Sequence, residues 1–270
     1  GDRVACHLQK RTAAAVLGRH VNPRRMRPRP TGRDLIPVNA VEPGLLSNLL
    51  LAALPHKDFK LLVPHLAVVE LPQGAVLHEA GTEVDQVYFP VSGMVSLVVV
   101  LRDGSVVETA AVGREGGVGA MAGLDLHVMR VRAIAQLPAF AAKIASAALR
   151  KAVGRSKPIA GLCLRYNEVL LTQARVTAAC NASHKSDARF CRWLLQTRDR
   201  VESNNLPLTQ EFLAEMLGVR RTSVTEVAMK VQAAGAISYS RGHIKIVDLR
   251  ALKAMSCACY ETLRKETAQS

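Results

Sequence analysis

Two guanidinium groups and three hydroxyls fall within residues 220–226, on Arg220, Arg221, Thr222, Ser223 and Thr225, with the carboxylate of Glu226 beside them. Side chains of this kind recognise rather than react. An arginine offers two parallel N–H donors that match O6 and N7 of guanine in a DNA major groove, and Ser/Thr hydroxyls bond phosphate oxygens. The sequence contains no nucleophile elbow, phosphate loop, H-E-x-x-H helix or Rossmann glycine set. His184 near Asp187 reads as the end of a helix and not as a catalytic pair. The expected chemistry is binding, and no enzymatic activity is expected.

Presenting these groups to a groove takes one helix held at a fixed angle on another. Residues 210–229 have the pattern that does this. Ala214 is small enough for two helices to approach closely. Gly218 can turn the chain, because a residue without Cβ takes a positive φ at no steric cost. Leu213, Leu217, Val219, Val224 and Val227 then face one core at helical spacing. Thr209 is a good N-cap for the first helix, and Gly235 is placed to close the second. Residues 237–247 are two β-prone runs joined at Ser240, Arg241 and Gly242, the signature of a hairpin. A helix-turn-helix followed by a hairpin is a winged helix.

The 270 residues leave room for about two domains. A formal charge of +14 favours a polyanionic partner, but half of it lies in residues 1–40, where nine Lys/Arg face only Asp2 and Asp34. That stretch is proline-rich and poor in apolar surface, and is expected to be disordered. No run approaches the roughly 20 apolar residues of a membrane span, so no membrane partner is expected. The six cysteines, Cys6, Cys163, Cys180, Cys191, Cys257 and Cys259, lack the spacing of a disulfide framework, which favours a cytoplasmic location. Cys257 and Cys259 form a C-x-C without further Cys or His at zinc-finger spacing. They read as plain thiols on the last helix, and no metal is expected. Cys163, Cys180 and Cys191 lie in helical patterns and read as small core residues.

Between residues 68 and 112 the texture is short β-prone runs cornered by Gly74, Gly81, Gly93, Gly104 and Gly113, the pattern of a sandwich or barrel. Asp103-Gly104 suggests a type I′ hairpin turn. Helices are expected over residues 44–54 and 142–153. A long helix over 158–184 has a seam at Ile159, Leu162, Tyr166, Val169, Gln173, Val176 and Cys180, in alternating steps of three and four. That is a heptad register, and it suggests a symmetric clamp between two copies of the chain. A further amphipathic helix over 188–201 carries Trp193.

A glycine-cornered β-roll, a long helix and a C-terminal winged helix, in that order, resemble the Crp/Fnr family of bacterial transcription regulators. The residues that carry the likeness run from Val87 to Leu97 in the roll and from Leu208 to Val224 in the helix-turn-helix. The resemblance implies an α+β chain: a basic extension (1–40), a double-stranded, jelly-roll-like β-roll sensor (41–157), a dimerisation helix (158–185) and a winged helix-turn-helix (186–270). It implies base reading by Arg221, with Arg220, Thr222 and Thr225 beside it. Phosphate contacts fall to Thr209, Gln210, Ser223, Arg241, His243 and Lys245. Double-stranded DNA, a second copy of the chain and RNA polymerase are the implied partners. Thr222 stands where many members carry a base-reading glutamate, and Glu226 where cyclic-AMP-responsive members carry a second arginine, so an altered target site is expected.

The implied effector pocket departs further. Gly119, Ala120, Met121, His127, Val128, Arg130 and Arg132 occupy its positions, but Ala120 replaces the ribose-binding glutamate and His127-Val128 the phosphate-binding Arg-Ser pair. A phosphate without its arginine loses its bidentate, charge-assisted contact. Cyclic nucleotide is therefore not expected as a cofactor. Nor is an iron–sulfur cluster, since only Cys6 precedes the roll, nor haem on a lone His78 or His127. The alternative is a ligand-responsive module that acts mainly through a protein partner.

Overall fold

A computed structural model describes residues 44–268. The basic extension, with Cys6, lies outside the described residues. Two short helices, α1 (Leu49–Ala52) and α2 (His56–Leu62), and a 3-10 turn at Val63–His65 lead into the roll. The helix expected over 44–54 is thus interrupted: residues 44–45 and 49–52 are helical, with a turn at 46–48 between them. Fully buried Asn48 is the reason: its side chain caps α1 by accepting from Leu51 N at 3.1 Å, and its amide donates to the carbonyls of Pro90 and Gly116, each at 2.8 Å.

The roll has five antiparallel strands, β1 (Ala67–Leu71), β2 (Val76–His78), β3 (Gln86–Val100), β4 (Val106–Val112) and β5 (Arg132–Ala145). They run in the order β1-β5-β3-β4, with β2 also paired to β5. Three expectations change here. Gly93 does not end a strand; β3 runs through it with register shifts on either side, and its φ of +72° marks a bend. A Cβ there would meet the Pro138 carbonyl at 2.2 Å, so only glycine lets β3 lie against β5 at this point. Residues 142–145 are strand rather than helix, because β5 is alanine-rich: Ala133, Ala135, Ala139, Ala141 and Ala142 are nearly inaccessible and let the layers approach. At the Asp103-Gly104 turn only Gly104 has a positive φ, and the Asp103 carboxylate accepts from Ser105 N at 2.9 Å. It is a side-chain-stabilised loop and not a type I′ turn.

Three helices follow: α3 (Ser146–Val153), α4 (Lys157–Ser183) and α5 (Ser186–Val201). Ser156 caps α4 by accepting from Ile159 N at 3.2 Å. The heptad seam needs correction. Ile159, Leu162, Tyr166, Val169, Gln173 and Cys180 are buried within the same chain and Val176 partly so, so this face is taken up by intrachain packing, on the roll and, at Cys180, on the C-terminal helices. A second register lies on the outer face, through Ala160, Leu164, Asn167, Leu171, Ala174 and Ala178, again in steps of four and three. There Leu164 is 55% exposed and Leu171 41%.

The C-terminal part comprises β6 (Asn205–Leu206), α6 (Gln210–Leu217), α7 (Arg221–Ala233), β7 (Ile237–Ser240), β8 (His243–Ile246), α8 (Leu249–Met255) and α9 (Cys259–Ala268). β8 pairs with both β7 and β6, so the wing has a third strand that two residues of sequence could not announce. This part shares a core with the roll: Met94, Val98, Ala111 and Leu137 cluster with Phe190, Trp193, Leu194, Leu213 and Leu217. Polar bonds pin the same junction. Trp193 Nε1 donates to Glu108 Oε1 at 2.9 Å, and Arg200 Nε meets Glu115 Oε1 at 2.7 Å with both side chains under 10% exposed. Gln173 accepts from Ala111 N at 3.3 Å and from the Arg200 guanidinium at 3.4 Å. The polar break in the inner seam of α4 is thus a node of this junction.

Candidate nucleic-acid interface and ligand pocket

The helix-turn-helix forms as its residue types require. Thr209 Oγ1 accepts from Phe212 N at 3.3 Å and starts α6. Gly218 ends α6 in the left-handed region at φ +60°, and Val219 N bonds back to the Ala214 carbonyl at 3.0 Å. Arg220 is then the N-cap of α7, and Arg221 its first residue. Leu213, Leu217 and Val224 are buried as the pattern implied, with Val219 and Val227 packed at the margin. Arg220, Arg221, Thr222 and Glu226 are exposed, with Ser223 and Thr225 half-buried. Thr225 Oγ1 donates to the Arg221 carbonyl at 3.2 Å, so its hydroxyl is engaged by its own helix and its methyl group is what can meet a base.

The wing turns at Arg241 and Gly242, with φ of +49° and +77°; two successive positive values are what a two-residue type I′ connection needs. Exposed His243 and Lys245 alternate along β8 with buried Ile244 and Ile246, so they share the outer face. His243 Nδ1 lies 3.2 Å from the Arg241 carbonyl. Between α6, α7 and the wing is an open groove of about 430 Å³ lined by Thr209, Gln210, Glu211, Arg221, Tyr239, Ser240, Arg241 and Gly242. It unites four residues expected at DNA: Arg221 at the start of the second helix, Thr209 and Gln210 at the start of the first, and Arg241 on the wing. Tyr239 fixes the groove wall by donating from its hydroxyl to the Leu208 carbonyl at 3.2 Å. Burial raises its phenol pKa, and the nearby Arg221 charge opposes that shift.

In the roll, Gly119, Ala120, Met121, His127, Val128 and Arg130 line one cavity of about 400 Å³. Arg132 lies outside it: its Nε meets Glu79 Oε2 at 2.8 Å on the sheet surface. Only Arg132 is on β5, so the two arginines do not share a strand face. The other walls are mainly apolar, from Val84, Leu97, Val131 and Leu126. Ala120, at the place of the absent glutamate, is 5% exposed. Helix α4 closes one side with Cys163 and Tyr166, which the sequence assigned to core and seam, and with Asn167 and Leu170, to which it assigned no role. Burial pushes the Cys163 thiol up to about 11, so it is a neutral thiol near pH 7 and no nucleophile. Burial, and next the charge of Glu115, raises the Tyr166 phenol pKa well above its usual range.

The histidines considered for haem sit in different settings. His78 packs in the roll, its ring 5.7 Å from that of Tyr88, and burial lowers its pKa, whereas His127 is exposed at the cavity. A different grouping was missed. The fold brings Cys180 and His184 to Cys257 and Cys259, with all four ligand atoms within 4.8 Å of one another. In sequence the C-x-C has no partner within 70 residues, since its neighbours in space are 77 and 75 positions away.

Comparison with known proteins matches residues 68–156 to the cyclic nucleotide-binding domain and residues 188–255 to the Crp-like helix-turn-helix domain. A transcriptional regulator of the Crp/Fnr family from Eubacterium rectale is similar in structure at 19% identity, covering 76% of this chain and 96% of its own, with a TM-score of 0.62. FixK2 from Bradyrhizobium japonicum is similar at 16% identity over 72% of this chain and 98% of its own, also at 0.62. TTHB099, a CRP-family regulator from Thermus thermophilus, is similar at 20% identity over 70% and 96%, at 0.60. No curated protein sequence matches the chain significantly.

Proposed function

Because the chain belongs to the Crp/Fnr family of DNA-binding transcription regulators and is not an enzyme, we propose that it acts as a homodimer that reads a palindromic site through Arg221. The observation that carries this reading is the groove that gathers Arg221, Thr209, Gln210 and Arg241. A guanidinium at the first turn of α7 is placed to enter a major groove end-on. The hydroxyl of Thr209 and the Arg241, His243 and Lys245 side chains of the wing would contact the phosphates on either side. Two such helices on a two-fold axis meet successive major grooves about 34 Å apart. The outer register of α4, through Leu164 and Leu171, is the face that joins the two copies. Thr222 and Glu226 face outward with different hydrogen-bonding capacity from the glutamate and arginine of relatives, which alters the bases read. The partner-only alternative leaves the exposed Arg220-Arg221 pair without a role.

The cavity in the roll we assign to an effector other than a cyclic nucleotide. Its walls are mostly apolar, Arg130 is the one arginine among its lining residues, and Arg132 lies outside it, paired with Glu79. Because α4 forms one wall through Asn167 and Leu170, a ligand there would press on the helix that carries the dimer face. Selection from random duplex DNA by the full chain tests the first part, with an inverted repeat as the expected product; recovery of no preferred sequence would overturn it. Calorimetry with cyclic AMP and cyclic GMP tests the second, with no heat of binding expected. Micromolar affinity for either nucleotide would refute the assignment.

A further inference from the structure

Four soft ligands converge where the last turn of α4 meets the junction of α8 and α9. Cys180 and His184 are four residues apart at the end of α4, so both side chains project from one helix face. Cys257 and Cys259 lie across from them, flanking the start of α9. Cys180 Sγ is 3.5 Å from Cys257 Sγ, and Cys259 Sγ is 3.6 Å from His184 Nδ1. A tetrahedral ion with Zn–S bonds of about 2.3 Å sets its sulfurs roughly 3.8 Å apart, and its S···N edges are slightly shorter. The observed separations are of that size. They exceed a disulfide bond of about 2.05 Å by more than an ångström.

We propose that Cys180, His184, Cys257 and Cys259 form a structural zinc site that fastens the end of α4 to the C-terminal helices. Four protein ligands fill a tetrahedron and leave no open position, which is the mark of a structural and not a catalytic zinc. Three thiolates and a neutral imidazole around Zn²⁺ carry a net charge of −1. Arg192, 5% exposed and with its Nε lacking a hydrogen-bond partner, stands where its charge acts on all three thiols. A buried cation of this kind is the compensation such a centre requires. The backbone is already set for it, since His184 N bonds the Cys180 carbonyl at 3.0 Å and Cys257 N the Ala188 carbonyl at 3.4 Å. The clamp spans the joint between α4 and α5 at residues 184–185, where the long helix hands over to the winged helix. It would fix the angle between the two.

Metal analysis of the full chain, purified with reductant and dialysed free of loose ions, should find about one zinc per chain. Cys257→Ser and Cys259→Ser should each lose it, whereas Cys191→Ser, which removes a buried thiol elsewhere, should retain it. Should the serine variants fail to fold, cobalt exchange into the natural protein decides instead. Intense visible d–d absorption and thiolate-to-cobalt charge transfer are expected. A wild-type chain that takes up neither zinc nor cobalt, a Cys180–Cys257 disulfide in the native protein, or bound iron with sulfide would overturn the proposal. None of these outcomes depends on whether the chain reads DNA through Arg221.

Discussion

The groove at α7 and the cavity under the 3-10 turn at Ala120–Leu124 are built in opposite ways. The groove takes its walls from residues 209–242, is open and polar, and shows its charged groups to solvent. The cavity draws on residues 84–170, is mostly apolar, and needs the roll and α4 together. A surface that reads a regular polymer can be made by one short motif, because the polymer supplies the long-range order. A cavity that encloses a small molecule has to be assembled from distant pieces, and its specificity can change without disturbing the fold. On the proposed reading the groove presents the guanidinium of Arg221, while the cavity side carries Ala120 and Val128 where the family resemblance implies glutamate and serine.

The two regions are joined through Arg200 and Glu115, and breaking that pair should have the largest effect. Arg200→Met leaves Glu115 buried and unpaired, which costs about 3–5 kcal/mol. Urea unfolding followed by Trp193 fluorescence would measure it. A loss below about 1 kcal/mol would mean that the ion pair adds little and that the shared apolar core around Trp193 holds roll and winged helix together.

The outer face of α4 comes next. Leu171→Glu places a charge on the proposed dimer seam and should convert the protein to a monomer in sedimentation, with binding to an inverted repeat falling to the level of a half-site. Val169→Ala, on the inner seam, should lower stability by about 1–3 kcal/mol by removing buried methyl groups, and leave the dimer intact. The reverse pattern would restore the inner seam as the clamp.

Within the groove, Arg221→Ala should weaken binding by about 1–3 kcal/mol, roughly 5- to 150-fold, with the effect confined to one base pair in each half-site. Arg241→Ala should act on all sequences alike and reduce the slope of log affinity against log salt by about one for each phosphate it no longer neutralises. Gel-shift titrations on single-base operator variants at several salt concentrations separate the two. Equal discrimination before and after Arg221→Ala would remove it as the base reader.

The groove was legible in the sequence because each device in it is local: a cap at Thr209, a positive-φ glycine at Gly218, an i, i+3, i+4 core and a glycine-bearing wing turn. The cavity was legible only on the side supplied by residues 119–130. Its α4 wall was hidden because Tyr166 and Asn167 sit in two overlapping heptad registers. A helix that is apolar on two faces does not say which one meets its own domain. Here the bulkier face, with Ile159 and Tyr166, went inward. Strand β5 was misread at its end because alanine favours helix in isolation. In the sheet, alanine's small size was what mattered. The Cys180–Cys259 grouping has no local signal at all, since spacing motifs report only ligands that are near in the chain.

The smallest effect expected is also the most specific to the junction. Glu108 is buried between Ser96 and Trp193, and burial raises its pKa, against the opposing pull of those two hydrogen bonds and of Arg200 and Arg192. A carboxyl with a raised folded pKa binds its proton more tightly in the folded state than in the unfolded one. Its contribution to stability is therefore fully present below the ordinary glutamate pKa and is lost as pH rises through the folded value. Asp187 slopes the other way: the Lys230 hydrogen bond lowers its pKa, so its contribution is present near neutrality and lost in acid. Glu108→Gln keeps an oxygen acceptor for Trp193 and removes the titration. Subtracting the variant's melting curve from that of the wild type, pH by pH, cancels Asp187 and isolates Glu108. The difference should favour the wild type increasingly toward acid and shrink or reverse toward neutral pH. A flat difference would mean that Glu108 is fully compensated by its partners, and that the seam between the roll and the winged helix carries no proton-linked strain.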